Sequence, residues 1–90
     1  MPRKPHRQRY AVFLECLVEA RKRAGLTQVQ VANSLKSTQT FISKCERGER
    51  RLDAVDLLDF LEVFDADPAQ FMRVVQGRLA GPSVAARKRG

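Results

Sequence analysis

Apolar residues recur along this chain at helical spacing. Over residues 10–24, Leu14, Leu17 and Val18 fall at i, i+3 and i+4, and Arg21 occupies the next position of that stripe, i+7. This is the pattern of a helix with one apolar face. The chain has no sustained two-residue alternation and no Asn-Gly hairpin turn, so strands are not expected. The pattern predicts an all-α protein.

Capping residues and glycines set the limits of five predicted helices. Thr27 with Gln30 three residues later forms a capping box, and Asp67 directly before Pro68 is typical of a helix start. A glycine ends a helix at low conformational cost. The predicted helices run from Tyr10 to Ala24 before Gly25, over two turns after Thr27, from Ser37 or Thr38 to Gly48, from Ala54 to Phe64 behind Asp53, and over 68–79, with a break at Gly81, Pro82 and Ser83.

The second and third predicted helices are short and are separated by only three or four residues. Two such helices between longer ones form a helix-turn-helix arrangement. The turn falls at Lys36, a position where glycine is common because a left-handed conformation is easy there. Lysine adopts that conformation at a cost of roughly 1 kcal/mol. We therefore expect modest strain and a useful positive charge at this turn.

The apolar faces of the five helices predict one small core. A chain of 90 residues has no room for a second domain, and a domain of this size buries only about 60–65% of its unfolded surface. The residues expected to be buried are Leu14, Leu17, Leu26, Val31, Ala32, Leu35, Ile42, Leu58 and Leu61.

Charge is distributed unevenly along the chain, whose net charge is +7. Residues 1–9 contribute +4 and residues 85–90 contribute +3, so residues 10–84 are neutral overall. Within that neutral part, residues 21–51 carry +6, whereas residues 53–67 hold six acids and no base. One end of the domain is therefore expected to be positive, which favours a surface that meets a polyanion. Solvated charge that only confers solubility is the alternative.

Several classes of protein are disfavoured. Cys16 and Cys45 lie 29 residues apart, far from the single His6, so neither a zinc site nor a disulfide framework is expected. The chain lacks a paired nucleophile and base, and we expect no enzyme activity, metal or cofactor. No apolar segment approaches the roughly 18–20 residues that span a bilayer, and the basic N-terminus lacks the apolar part of a signal peptide. We expect a cytoplasmic protein without a membrane partner.

Several short segments occur in a fixed order: Arg21, Gly25-Leu26-Thr27-Gln28, Val31-Ala32, Leu35, Ile42-Ser43 and Glu46-Arg47-Gly48-Glu49-Arg50-Arg51-Leu52-Asp53. Together they resemble one known family, the DNA-binding domains of Cro-type and lambda-type phage repressors and of xenobiotic-response-element regulators. Lys36 departs from the family's usual turn glycine, and Cys45 stands at a usually aliphatic core position.

The resemblance implies that the third helix enters the major groove of double-stranded DNA. Only side chains near the start and on the outer face of such a helix reach base edges. Glutamine pairs with adenine, and lysine reaches guanine; a solvated polar face is the alternative. Phe41 belongs either to the core or against a thymine methyl. The implied base contacts are Gln39, Thr40, Ser43 and Lys44.

Further residues are expected to hold the DNA backbone. Gln28 opens the second helix, where backbone N–H groups and the helix dipole favour a phosphate. Its amide is also expected to position Gln39, as in similar family members. Basic residues that flank the third helix suit phosphates better than bases, although each could be an idle surface charge. These are Lys36, Arg47, Arg50 and Arg51.

Arg21 lies on the apolar stripe of the first helix, where an unpaired guanidinium would be costly. The resemblance implies a partly buried salt bridge between Arg21 and Glu46, for which bidentate geometry is suited. The pair would fix the tilt of the third helix without touching DNA. Alternatively, both side chains extend to water.

These observations support two hypotheses of function. The first is a sequence-specific transcriptional regulator that binds an inverted repeat as a homodimer and represses, or in places activates, a nearby promoter. The dimer would form through Phe71, Met72, Val75 and Leu79 of the fifth helix. The second is an adaptor or antitoxin-like protein whose main partner is another protein. In both, residues 1–9 form a basic flexible arm, residues 10–80 a single compact helix-turn-helix domain, and residues 81–90 a basic flexible tail.

Overall fold

Five helices surround one core in the computed structural model, which describes the backbone of residues 6–89 and the side chains of residues 6–81. The all-α prediction is confirmed for the described residues, none of which lies in a strand. None of the helices found there combines the length and apolar character needed to cross a bilayer. The helices are α1, His6–Arg23; α2, Gln28–Ser34; α3, Gln39–Arg47; α4, Ala54–Val63; and α5, Pro68–Arg89.

The predicted caps set the helix starts. Thr27 Oγ1 accepts from the backbone N–H of Gln30 at 3.1 Å, and Gln30 Oε1 accepts from the N–H of Thr27 at 2.9 Å. Thr38 Oγ1 accepts from the N–H of Phe41 at 3.1 Å. Asp53 caps α4 in the same reciprocal way. Because each cap satisfies N–H groups that the helix cannot satisfy itself, the register of α2, α3 and α4 is fixed locally.

Positive backbone angles stand at the turns. Lys36 takes φ 55° between α2 and α3, as predicted, and Gly48 takes φ 82° at the end of α3. A Cβ at Gly48 would approach Leu14 Cδ1 to 3.2 Å, so both conformation and packing favour glycine at this position. Asp65 has φ 56° between α4 and α5, a conformation that the sequence analysis did not anticipate.

The core differs from the predicted list in α4. Leu58 is 50% exposed, whereas Phe60 is 1% exposed. The prediction for Leu58 is wrong because α4 packs against the core with Leu57, Phe60 and Leu61, which leaves Leu58 beside that face. Leu26 and Leu35 are only half-buried, and the remaining predicted residues are buried. The buried apolar residues missing from the predicted list are Cys16, Cys45, Phe60, Phe64, Phe71 and Val75.

Both ends of the chain hold more helix than predicted. Residues 6–9, which were assigned to a flexible arm, form the first turn of α1. Gly81 breaks α5 as predicted, with φ 71° and ψ 171°, but a helical segment continues beyond it to Arg89. The predicted arm residues Arg3 and Lys4 lie outside the described residues. The flexibility of the tail stays a prediction.

Candidate nucleic-acid interface

The first turn of α3 projects polar side chains to solvent. Because Thr38 is the cap, Gln39 and Thr40 are the first two residues of the helix. Gln39, Thr40 and Lys44 are exposed, and Ser43 is half-buried. Ile42 and Cys45, on the opposite side of α3, are fully buried. The amphipathic pattern of α3 thus turns the four predicted base-contacting residues away from the core, in the geometry that a major groove accepts.

A chain of polar contacts connects the interior of the domain to this face. Arg21 Nε donates to Glu46 Oε2 at 2.7 Å, and Arg21 Nη2 donates to Glu46 Oε1 at 3.2 Å. Gln28 Nε2 donates to the same Oε1 at 2.8 Å. Gln28 Oε1 in turn accepts from Gln39 Nε2 at 3.0 Å. The Arg21–Glu46–Gln28–Gln39 network therefore links the exposed Gln39 of α3 to Gln28 of α2 and, through Glu46, to Arg21 of α1.

The inner pair of this network is well shielded from water. The side chains of Arg21 and Glu46 are 11% and 6% exposed. Arg21 also donates from Nη1 to the carbonyl oxygen of Leu26 at 2.8 Å, and no buried side-chain polar atom of the described residues lacks a partner. The two-pronged ion pair joins α1 to the end of α3 and does not extend to water.

The end of α3 carries an arginine that already has partners. Arg47 donates from Nε to Glu49 Oε2 at 2.8 Å and from Nη1 to the hydroxyl of Ser43. The hydrogen bond from Arg47 lowers the pKa of the Glu49 carboxyl and raises the pKa of the Arg47 guanidinium. Glu49, which the sequence analysis did not assign to the site, therefore competes with any phosphate for Arg47. The sequence signal for this role of Glu49 is an acidic residue two positions after a predicted phosphate contact.

Arginines 50 and 51 both lie over aromatic rings. Arg50 Cζ lies 5.2 Å from the ring centre of Phe41, and Arg51 Cζ lies 4.5 Å from the ring centre of Tyr10. Phe41 is half-buried against the core, so its ring forms the edge of the core and a platform for Arg50. Cation–π contact and packing restrict both guanidinium groups. Lys36 lies exposed at the α2–α3 turn.

The proposed dimer face on α5 is corrected by the packing. Phe71 and Val75 are only 5% and 4% exposed, because they complete the core against α1. Their assignment to a dimer surface is wrong. Met72 is 42% exposed and Leu79 is half-buried, so that face retains little apolar area.

Comparison with known proteins agrees with this geometry. Residues 13–74 match the helix-turn-helix domain family. The chain is similar to the solved structure of an XRE-family like protein from Pseudomonas syringae pv. tomato str. DC3000, with 38% identity, a TM-score of 0.75, and coverage of 81% of this chain and 89% of that chain. A comparison with curated proteins found no match.

Proposed function

Because the chain belongs to the XRE and Cro type of helix-turn-helix family, a family of DNA-binding regulators, we propose that it is a sequence-specific transcriptional repressor. It places α3 in the major groove of an inverted-repeat operator as a homodimer. Such regulators are typically not enzymes. The observation that carries the proposal is the polar network that fixes Gln39, on the exposed face of α3, to the buried pair of Arg21 and Glu46. A solvated helix face does not require such support.

Preorganisation is the advantage of this network for reading bases. An exposed glutamine loses rotamer freedom when it pairs with a base. Gln39 has lost part of that freedom before binding, because its Nε2 is held by Gln28. The Oε1 of Gln39 stays available as an acceptor, and Thr40, Ser43 and Lys44 complete the reading surface. We assign these four residues to base contacts.

The surrounding cations are assigned to phosphates. Arg50 and Arg51 lie in the loop after α3, and Lys36 lies in the turn before it, so the three bracket the reading surface in the chain. Arg47 joins them when it exchanges Glu49 for a phosphate. Gln28 contributes the first backbone N–H groups of α2. Contacts of this kind are common to every sequence and set the register of the helix on the duplex.

An inverted repeat requires two protomers related by a twofold axis. Half-sites one helical turn apart lie about 34 Å from each other. The dimer contact is not assigned to Phe71 or Val75, which are buried within one protomer. Large apolar side chains that are exposed in the described part of the chain include Val55 and Leu58, one turn apart on α4.

The test distinguishes residues that contact bases from residues that contact phosphates. A duplex selected from a random pool and a scrambled duplex are titrated with each variant. Gln39→Ala and Lys44→Ala should each weaken binding to the selected duplex by about 1–3 kcal/mol and leave the scrambled duplex nearly unaffected. Arg50→Ala should weaken both duplexes alike and lower the salt slope by about one unit.

The contrary results are equally clear. Equal losses on both duplexes for Gln39→Ala and Lys44→Ala would remove the base-reading assignment and favour the adaptor hypothesis, in which another protein is the main partner. A stoichiometry of one protomer for each selected duplex would remove the dimer. Asp59→Ala, on the acidic face of α4, is the control and should strengthen binding to both duplexes slightly or leave it unchanged.

A further inference from the structure

The first turn of α1 contacts the loop that follows α3. Arg51 Nη1 lies 3.1 Å from His6 Nε2. The Tyr10 ring lies under the Arg51 guanidinium and is stacked with the His6 ring at 6.3 Å between centres. Tyr10 Oη accepts from the backbone N–H of Leu52 at 3.0 Å. Tyr10 therefore fixes both the loop backbone and the Arg51 side chain, and His6 lies within hydrogen-bond distance of the same guanidinium.

The contact between His6 and Arg51 favours one protonation state of the imidazole. A guanidinium has donors only, so a hydrogen bond at 3.1 Å requires that His6 Nε2 be an acceptor and that the imidazole be neutral. A protonated imidazole at the same place would be repelled by Arg51. An anionic oxygen that contacts both the imidazole and the guanidinium would reverse this preference, because both groups would then donate to it in charge-assisted hydrogen bonds.

Basic residues are frequent in the two segments that meet at His6 and Arg51. Arg7 and Arg9 share the first turn of α1, and Arg50 precedes Arg51 in the loop. Glu49, the nearest acid in the loop sequence, is already held by Arg47. Asp53, which follows the loop, is engaged in capping α4. The side chains around the site therefore favour an anion.

We propose that His6 and Arg51 form a phosphodiester-binding site on the Tyr10 platform, and that His6 takes up a proton when DNA occupies it. This inference rests on the proposed function and extends its interface to the first turn of α1. Histidine is the side chain whose charge ordinarily changes between pH 5 and 8, and His6 is the only histidine of the chain. Because the bound state holds more protons than the free state, DNA affinity falls as pH rises through that range.

The experiment measures affinity for the selected duplex by fluorescence anisotropy from pH 5.5 to 8.5 at constant ionic strength. The wild type should lose at least about tenfold between the two limits, the effect of one charge-assisted hydrogen bond. His6→Gln should bind at the weaker level throughout, and His6→Lys, which keeps a positive charge, should bind at the stronger level throughout. Both residues suit an exposed first turn of a helix.

Nuclear magnetic resonance supplies a second measurement, because the single imidazole gives one Cε1–H signal. Its titration midpoint should move to higher pH when the selected duplex is added. Tyr10→Phe keeps the ring and removes the hydroxyl, so it should retain the proton uptake and reduce affinity at every pH.

Two failures are distinguishable. If the wild type binds the selected and scrambled duplexes equally at every pH, the proposed function itself is wrong. If it prefers the selected duplex but shows the same pH dependence as His6→Gln, or an imidazole midpoint that DNA does not move, the His6 site is overturned while the proposed function stands.

Discussion

The pair of Arg21 and Glu46 offers a quantitative test of what holds α3 in place. Replacing Arg21 with Met keeps a long apolar stem in the α1 stripe and removes the guanidinium. Glu46, whose side chain is 6% exposed, would then keep only the Gln28 amide as a partner. Leaving one member of a buried pair uncompensated costs about 3–5 kcal/mol. A domain of 90 residues has a total stability of roughly 5–13 kcal/mol.

Such a loss is large enough for a simple thermal measurement. Each 1 kcal/mol lowers the Tm of a domain of this size by about 4–8 °C, so Arg21→Met should lower it by at least about 12 °C. The matched variant is the double replacement Arg21→Met with Glu46→Met. It removes both charges together, and apolar replacement of a buried pair is often neutral or stabilising. Its Tm should return close to that of the wild type.

The double variant should keep the stability of the wild type and lose part of its preference for the selected duplex. Gln28 loses the carboxylate that orients it, and Gln39 loses an oriented Gln28, so preference for the selected duplex should fall by about five- to tenfold, the equivalent of one hydrogen bond. Urea denaturation and paired DNA titrations measure the two quantities on the same samples. The reasoning is refuted if Arg21→Met lowers stability by less than about 1 kcal/mol, the value of an exposed pair, or if the stable double variant keeps full preference.

Two further predictions concern residues outside this pair. Glu49→Gln should raise affinity for selected and scrambled duplexes alike by about two- to fivefold, because it removes a negative charge and frees Arg47; titrations in which affinity falls would show that Glu49 positions Arg47 for DNA. Burial raises the pKa of the Cys16 and Cys45 thiols, so alkylation by iodoacetamide at pH 8 should proceed no faster than unfolding, and rapid labelling of folded protein, followed by mass spectrometry, would contradict the packing.

Local signals made most of the fold predictable. A cap such as Thr27 or Asp53 acts over three residues and is legible in the sequence. The residues of α4 that face the core were harder to predict. Several faces of this helix are apolar, because its apolar residues include Val55, Leu57, Leu58, Phe60 and Leu61. The Asp53 cap fixes where α4 begins, but tertiary packing against the core decides that Phe60 points inward and Leu58 outward.

The α3 part of the candidate site was predictable from the sequence, whereas the contacts around Arg51 were not. The resemblance placed Gln39 and Lys44 at the start and outer face of α3, where the structure has them exposed. The contacts of Tyr10 and His6 with Arg51 span more than 40 residues of sequence, and no local spacing reveals such a pair. The basic charge of residues 1–9 predicts a flexible arm that includes His6. Pro2, Pro5 and the basic residues give no sequence signal for the helix that begins at His6.

The same arrangement explains how one small domain orients a short polar helix without a large core. A helix of nine residues such as α3 is too short to be stable alone, and the outer face of α3 is polar. Its orientation is therefore set from outside the helix, by Ile42 and Cys45 packed beneath it and by Glu46 held from α1 and α2. Because Glu46 serves both Arg21 and Gln28, a change in the interior reaches Gln39 through two hydrogen-bonded side chains. Substitutions at Arg21 or Glu46 should alter DNA preference without touching DNA, whereas substitutions at exposed α4 positions of equal charge change should not.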